Sequence, residues 1–311
     1  MIYKTIRKDV KVNGKRAHED TILQEGDQLS LYIPEEKLND LTRQQTRRRV
    51  KRQFRIAYED ENLLIVEKPS GLLTHGDSRE KKNTLANQVC GYLQEKGEFD
   101  PSKEKSFVPS PVNRLDRNTT GLVIFGKNAE TLRSFTRYIR ERQYVSKYYV
   151  TLVKGNLKEK LVLRDRIAKD HGTNISQVTD DAKEGKSAET FVTPIASKNG
   201  FSVVEVELVT GRTHQIRVHM EFAKHPLVGD PMYTAGAPSA PQADLGLDRQ
   251  FLHSFRLDFV HPITGREMSF RDGLPEDLRE ALTELADRSR GRTEAGEETL
   301  ALLTDAPRQR L

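Results

Sequence analysis

The chain has 311 residues, 35% of them hydrophobic and 31% charged, with a formal net charge of +5. That length holds one large domain and a small one. A single cysteine, Cys90, excludes an intramolecular disulfide and points to a reducing cytosol; no apolar run approaches the roughly 20 residues of a membrane span, and the charged N-terminus does not read as a signal peptide. The charge is uneven. Residues 276–311 carry 6 Lys+Arg and 9 Asp+Glu, which leaves 45 basic against 37 acidic residues, or +8, on the remainder. A basic body suits a polyanionic partner.

Residues 1–36 read as a small basic module. Ile2–Lys8 reads as the end of a helix, Val10–Lys15 as a strand turning at Asn13-Gly14, and Leu29–Ile33 as a second strand closed by Pro34. Lys8, Lys11, Lys15 and Arg16 cluster here. Residues 37–55 read as a basic linker: Arg43, Arg47, Arg48, Arg49, Lys51, Arg52 and Arg55 follow one another with no acid between them. Such a run is a solvated hinge or a phosphate-tracking arm whose grip would fall steeply with salt.

Residues 56–275 form the main domain. Leu63–Glu67 is apolar enough for a buried strand, Thr84–Leu93 is amphipathic, and the three prolines between 94 and 111 make a loop. Asn128 caps a predicted helix whose Leu132, Phe135 and Ile139 share a face. Tyr144–Val153 follows as a strand, with Tyr149, Thr151 and Val153 on one side and Tyr148, Val150 and Leu152 on the other. Residues 154–190 are polar, with a strand piece at Leu161–Leu163 and a loop at His171–Asn174. Phe201–Leu208 alternates cleanly. Thr213 is a good cap for a helix carrying Ile216 and Met220, which must stop near His225-Pro226. Leu252–Phe259 is a further strand, followed by a turn at His261–Gly265. Residues 276–311 form an acidic tail in which Leu278, Leu282 and Leu285 can pack and Ser289–Leu311 stays loose.

The most informative stretch is Val112–Gly126. Polar turn formers lead into the apolar run Leu122–Phe125, and Gly121 can take a positive φ where the chain enters the strand. Asp116 therefore sits on a loop held by a buried strand, between Arg114 and Arg117. Flanking guanidiniums keep such a carboxylate ionised, as a nucleophile or a base requires and a general acid does not. A salt-bridged structural aspartate would have the same surroundings.

Asn113–Gly121 resembles the H-R-L-D-x-x-T-S-G signature of the RluA-type pseudouridine synthases. Arg114, Leu115, Asp116, Thr119 and Gly121 match it, while Asn113 replaces the usual His and Thr120 the usual Ser. Glu67–Leu72 resembles the first motif of that family and Thr210–His219 its third, in the right order and spacing. The basic front module resembles the back half of an S-four-type RNA-binding domain without its front helix. The resemblance implies an α+β fold: a mixed, largely antiparallel sheet with flanking helices around a central cleft. It implies an isomerase that converts uridines in RNA to pseudouridine with no cofactor. It implies a catalytic set of Asp116, Tyr149 and Arg217, with Arg217 pairing with the aspartate and Tyr149 stacking on the uracil. An i,i+4 ion pair with Glu221 is the plain alternative for Arg217. RNA contacts are expected from Arg114, Arg117, Arg212 and His214, and from Lys8, Lys11, Lys15, Arg16, Arg47, Arg48, Arg49 and Arg52. The expected partner is RNA, with large-subunit ribosomal RNA favoured by the front module; the protein is expected in the cytoplasm as a monomer.

Other chemistries fit less well. His214, His219 and His225 are spaced by five and six residues, which puts no two on one helical face, and no H-E-x-x-H occurs, so no metal site is expected. No phosphate-cradling glycine motif and no nucleophile elbow is present in context. A glycoside hydrolase needs a second carboxylate as acid, and the motif holds none. A non-catalytic RNA-binding protein that keeps the fold is the second reading, suggested only by Asn113 and Thr120.

Overall fold

In a computed structural model of the chain, the described residues are 10–16, 21–31, 51–77, 79–104, 107–170, 175–181, 183–234 and 245–288. The expected helix end at Ile2–Lys8, the loop at His171–Asn174, the tail from Ser289, and Lys8, Arg47, Arg48 and Arg49 lie outside them. The chain divides into two compact units, Met1–Arg49 and Val50–Leu311.

The first unit holds a three-stranded antiparallel sheet of β1 (Val10–Val12), β2 (Lys15–Arg16) and β3 (Leu29–Leu31), in the order β2-β1-β3. Asn13 and Gly14 take φ of 51° and 79°, the left-handed pair that a two-residue hairpin demands. Lys11, Lys15 and Arg16 are exposed on it.

The second unit is built on one eleven-stranded sheet. Its strands are β4 (Arg55–Glu59), β5 (Leu63–Lys68), β6 (Ser110–Pro111), β7 (Thr120–Gly126), β8 (Val145–Lys154), β9 (Leu161–Lys169), β10 (Ser176–Val178), β11 (Lys186–Lys198), β12 (Phe201–Leu208), β13 (Leu252–Val260) and β14 (Glu267–Arg271). The order is β10-β9-β11-β12-β8-β13-β7-β5-β4, with β14 on β13 and β6 on β7. The helices are α1 (Leu85–Glu95), α2 (Ala129–Glu141), α3 (Gln215–Phe222) and α4 (Glu276–Arg288). The fold is therefore the expected α+β arrangement. None of the helices among the described residues is long and apolar enough to cross a membrane.

Among the described strands the pairings are antiparallel except β13 with β7, which meet in parallel at His253↔Thr120 and Ser254↔Gly121. This junction joins the two halves of the sheet. It needs a glycine: Gly121 has φ of 110°, and a Cβ there would lie 2.2 Å from the Ser254 carbonyl oxygen. Alternation in β8 sorts its side chains as the sequence indicates, Tyr149 and Val153 into one core cluster and Val150 and Leu152 into another.

Several expectations need correction. The linker does not run to residue 55: Phe54 is buried in the core, and the Gln53 amide donates to Gln88. In the acidic segment from 276 the three leucines do pack as expected: α4 buries Leu278, Ala281, Leu282 and Leu285 against Val150, Leu152 and Phe251. The polar stretch 154–190 hides β10 and the start of the 13-residue β11, whose buried positions there, Ala188 and Thr190, are too weakly apolar to signal a strand. Thr213 is not the cap of α3; His214 takes that place with φ of 55° and caps nothing with its side chain.

Candidate active site

The Asp116 turn lies between β6 and β7, and its polar groups are met one after another. The Asn113 side chain accepts from the Ile124 amide and donates to the Leu122 carbonyl, extending the β6 ladder with an amide in place of a peptide. Thr74 Oγ1 donates to the Leu115 carbonyl at 2.8 Å and accepts from the Leu115 amide. The Asp116 carbonyl closes the turn with the Thr119 amide. Lys68 Nζ donates to the Arg117 carbonyl at 2.8 Å, and Arg249 Nη1 to that of Asn118 at 3.0 Å. Gln250 donates to the Thr119 hydroxyl, and the Thr120 hydroxyl meets His253 Nδ1 at 2.8 Å. Burial pulls His253 down to about 4, so its ring is neutral. We assign its proton to Nε2, facing the Asp272 carbonyl, which leaves Nδ1 to accept from Thr120.

Lys68 is 2% exposed. Its ammonium also donates to the carbonyls of Pro69 and Leu72. Burial pulls it down to about 7, and the nearby Asp116 charge opposes that pull.

The Asp116 carboxylate remains partly open, with its side chain 26% exposed. Its Oδ2 lies 3.3 Å from Arg217 Nη1 and 4.0 Å from His214 Nε2. Arg217 is fully enclosed on α3. It forms a two-pronged pair with Asp230, Nε to Oδ2 at 2.6 Å and Nη2 to Oδ1 at 2.8 Å, and lies 4.8 Å over the Tyr233 ring. Burial alone disfavours its charge; the Asp230 hydrogen bonds and the charges of Asp230 and Asp116 outweigh that and raise its pKa. The two-pronged partner of Arg217 is thus Asp230, 13 residues on. His214 Nδ1 meets the Tyr233 hydroxyl at 2.9 Å, and burial lowers the pKa of this histidine.

Tyr149 lies on β8 opposite Ser254, 3% exposed. Burial raises its phenol well above the ordinary value, and the Asp116 charge adds to the rise. The hydroxyl therefore holds its proton firmly.

The expected RNA contacts scatter. Arg114 is exposed beside Asp116, and Arg117 turns to Asp77 at 3.4 Å. Arg212 donates to the Ser187 carbonyl at the mouth of the β9–β11 segment. Arg52 stacks over Phe54 and Tyr92, with its guanidinium 5.8 and 5.5 Å from the ring centres. A cavity of about 590 Å³ runs along Arg164–Arg166 and Ser187–Glu189 without Asp116 in its lining, and Glu189 ties up its Arg142 and Arg164. Volume does not mark the site here; the buried charge pair with one open edge does. No group of three or more His, Cys, Asp or Glu among the described residues is placed to hold a metal.

The sequence profile described as RNA pseudouridylate synthase matches residues 62–222, the segment that carries Lys68, Asp116, Tyr149 and Arg217. The chain belongs to that family. It is 33% identical over 290 residues to ribosomal large subunit pseudouridine synthase C of Vibrio vulnificus, covering 92% of this chain and 87% of that protein. It is 33% identical over 231 residues to ribosomal large subunit pseudouridine synthase D of Nitrosomonas europaea, where the match takes in 72% of this chain and spans only 63% of that relative's length. The structure of human RNA pseudouridylate synthase domain containing 4 superposes with a TM-score of 0.59 at 21% identity, over 74% of this chain and 92% of that one, and so shares the fold.

Within this synthase frame, both departures from the signature have local structural work. Asn113 holds the β7 backbone and Thr120 holds His253. Both are buried, so these replacements are accounted for by local structure. The sequence reading missed Asp230, Tyr233, Lys68 and Arg249. Asp230 was the most accessible of these: Gly229-Asp230-Pro231 is a turn signal in the segment between α3 and β13, and Asp230 Oδ1 accepts from the amides of Met232 and Tyr233.

Proposed function

We propose that the chain is an RNA pseudouridine synthase that works through Asp116. The observation that carries this reading is the 3.3 Å contact between Asp116 and the enclosed Arg217, with the carboxylate still open on its other side. In the reaction the bond between ribose C1′ and uracil N1 breaks, the base rotates, and a bond forms between C1′ and C5. The C5 proton leaves and N1 gains one, so no atom is supplied from outside and no cofactor takes part. Asp116 acts at the sugar–base junction, as nucleophile or as base, and Arg217 keeps it charged and aimed. The Tyr149 ring forms the floor on which the uracil rests. Its hydroxyl, pushed up by burial, is a poor base, which favours packing over proton abstraction.

The uridine leaves its helix to reach the cleft, at a cost of a few kcal/mol. Arg114 fills the vacated stack or meets a flanking phosphate, and Arg117, Arg212 and His214 line the approach. Lys11, Lys15 and Arg16 of the first unit add sequence-independent affinity. The names of the relatives favour large-subunit ribosomal RNA as the substrate, and we place the protein in the cytoplasm as a monomer. The test is release of tritium from RNA labelled at uridine C5. Wild type is expected to release it and Asp116→Asn to release none; equal release by both would remove Asp116 from the mechanism.

A further inference from the structure

One buried arginine outside the matched family segment touches both sides of the site. Arg249 is 4% exposed and sits just before β13. Its guanidinium uses one edge for Asp277, Nε to Oδ2 at 2.6 Å and Nη2 to Oδ1 at 2.8 Å, and has Nη1 left for the Asn118 carbonyl. The planar fork gives both carboxylate oxygens a donor and still presents Nη1 to the carbonyl, a spread that the single nitrogen of a lysine does not cover. Asp277 lies in the first turn of α4, where the helix dipole favours a negative charge. Arg249 holds the Asp277 carboxyl below its ordinary range, more than offsetting the burial that would raise it. The helix is itself fixed by Leu278, Leu282 and Leu285 in the core cluster on Val150 and Leu152.

The backbone of Arg249 reaches the other side. Its carbonyl packs against Gly229, where a Cβ would lie 2.1 Å away, and the next residue but one, Phe251, donates its amide to the Val228 carbonyl. Gly229 has φ of 73° and immediately precedes Asp230, the residue that grips Arg217. The side chain of Arg249 thus holds the turn that carries Asp116, and its main chain holds the segment that carries the counterion of Arg217.

We propose that Arg249, braced by Asp277, is a positioning residue that fixes the Asp116 turn relative to Arg217, so that α4 is part of the catalytic apparatus. The proposal rests on the synthase reading above for its effect on rate, but not for its effect on the turn. Misplacing a reacting group by about 1 Å can cost about 100-fold in rate. Arg249→Gln is therefore expected to lower kcat for tritium release by about 100-fold while KM for RNA stays within about twofold, the split expected when aim is lost and binding is kept. Asp277→Asn should show the same split at smaller size, and the double variant should be no slower than Arg249→Gln, since the two act as one unit. Arg249→Lys should recover only part of the rate. Arg279→Gln, which breaks the exposed Arg279–Glu276 pair on the same helix, is the control.

Hydrogen–deuterium exchange of the segment 114–120 supplies a readout that needs no activity. Exchange there should speed up in Arg249→Gln and in Asp277→Asn and remain unchanged in β12. If Arg249→Gln fails to fold, Asp277→Asn and Arg249→Lys carry the same comparison. Unchanged exchange at 114–120, or full kcat in both variants, would overturn the proposal. A wild type that exchanges as expected but releases no tritium would sink the synthase reading and leave the brace standing.

Discussion

The two halves of the Asp116–Arg217 pair are held by different physics. The Asp116 turn is held by a series of hydrogen bonds that its backbone and hydroxyls make with Thr74, Lys68, Arg249, Gln250 and His253. Arg217 is held by one full opposite charge, Asp230, whose side chain is completely enclosed. The difference matches the roles proposed for the two residues. A carboxylate that is to meet a substrate cannot have its oxygens filled, so the turn is gripped at its backbone and hydroxyls while the carboxylate takes only the contact from Arg217. A cation that only steadies it can be sealed in, and a sealed cation needs a counterion.

The largest expected effect tests the sealed side. Asp230→Asn leaves Arg217 enclosed with only Asp116 to neutralise it, and breaking a buried pair in this way costs about 3–5 kcal/mol. Thr74→Val on the other side removes a neutral hydroxyl and leaves the Leu115 amide and carbonyl without it, for about 1–3 kcal/mol. Urea unfolding of both variants measures the contrast. Equal losses would mean that the two halves are not held differently after all.

A pH profile sharpens the same contrast from the turn side. His253 is neutral in the fold and pulled down to about 4 from an ordinary value of 6.5. Between those values the unfolded chain binds the extra proton and the fold does not, so stability rises with pH through the window and is lost as pH falls from 6.5 toward 4. One such group contributes a slope of up to about 1.4 kcal/mol per pH unit. His253→Asn should lose that part of the slope, read as unfolding free energy against pH. A slope as steep as wild type would show that other groups, such as the buried His219, set the acid limit.

The two halves also differed in how much of them the amino-acid sequence disclosed. The Asp116 turn is contiguous, and turn formers, a glycine and an apolar run announce it within fifteen residues. Its grips are not contiguous: Thr74, Lys68, Arg249 and His253 come from separate segments and carry no periodic signal of their own. Arg217 could be placed on a helix, but its partner is 13 residues away beyond a turn, where spacing rules for helices and strands do not reach. The strands with strong alternation, β8 and β12, were plain; β11 was not, because Thr190 and Ala188 fill its buried face. The α3 cap was misread since Thr213 has the right chemistry, while the chain instead puts His214 in a left-handed conformation that brings its ring to Tyr233 and Asp116.

The smallest expected effect separates backbone from side chain at a single residue of the turn. The Arg117 carbonyl is part of the grip, accepting from Lys68, but its guanidinium reaches out to Asp77 at 3.4 Å, with the two side chains 47% and 41% exposed. An exposed pair of that kind contributes less than about 1 kcal/mol. Arg117→Gln should therefore leave urea unfolding nearly unchanged, because the carbonyl is untouched. If the guanidinium swings from Asp77 to a phosphate when RNA arrives, the same variant should lower the dependence of log affinity on log salt by about 1. An unchanged salt slope would mean that only the main chain of Arg117 serves the site, and that the open edge of the turn is met by Arg114 alone among its two arginines.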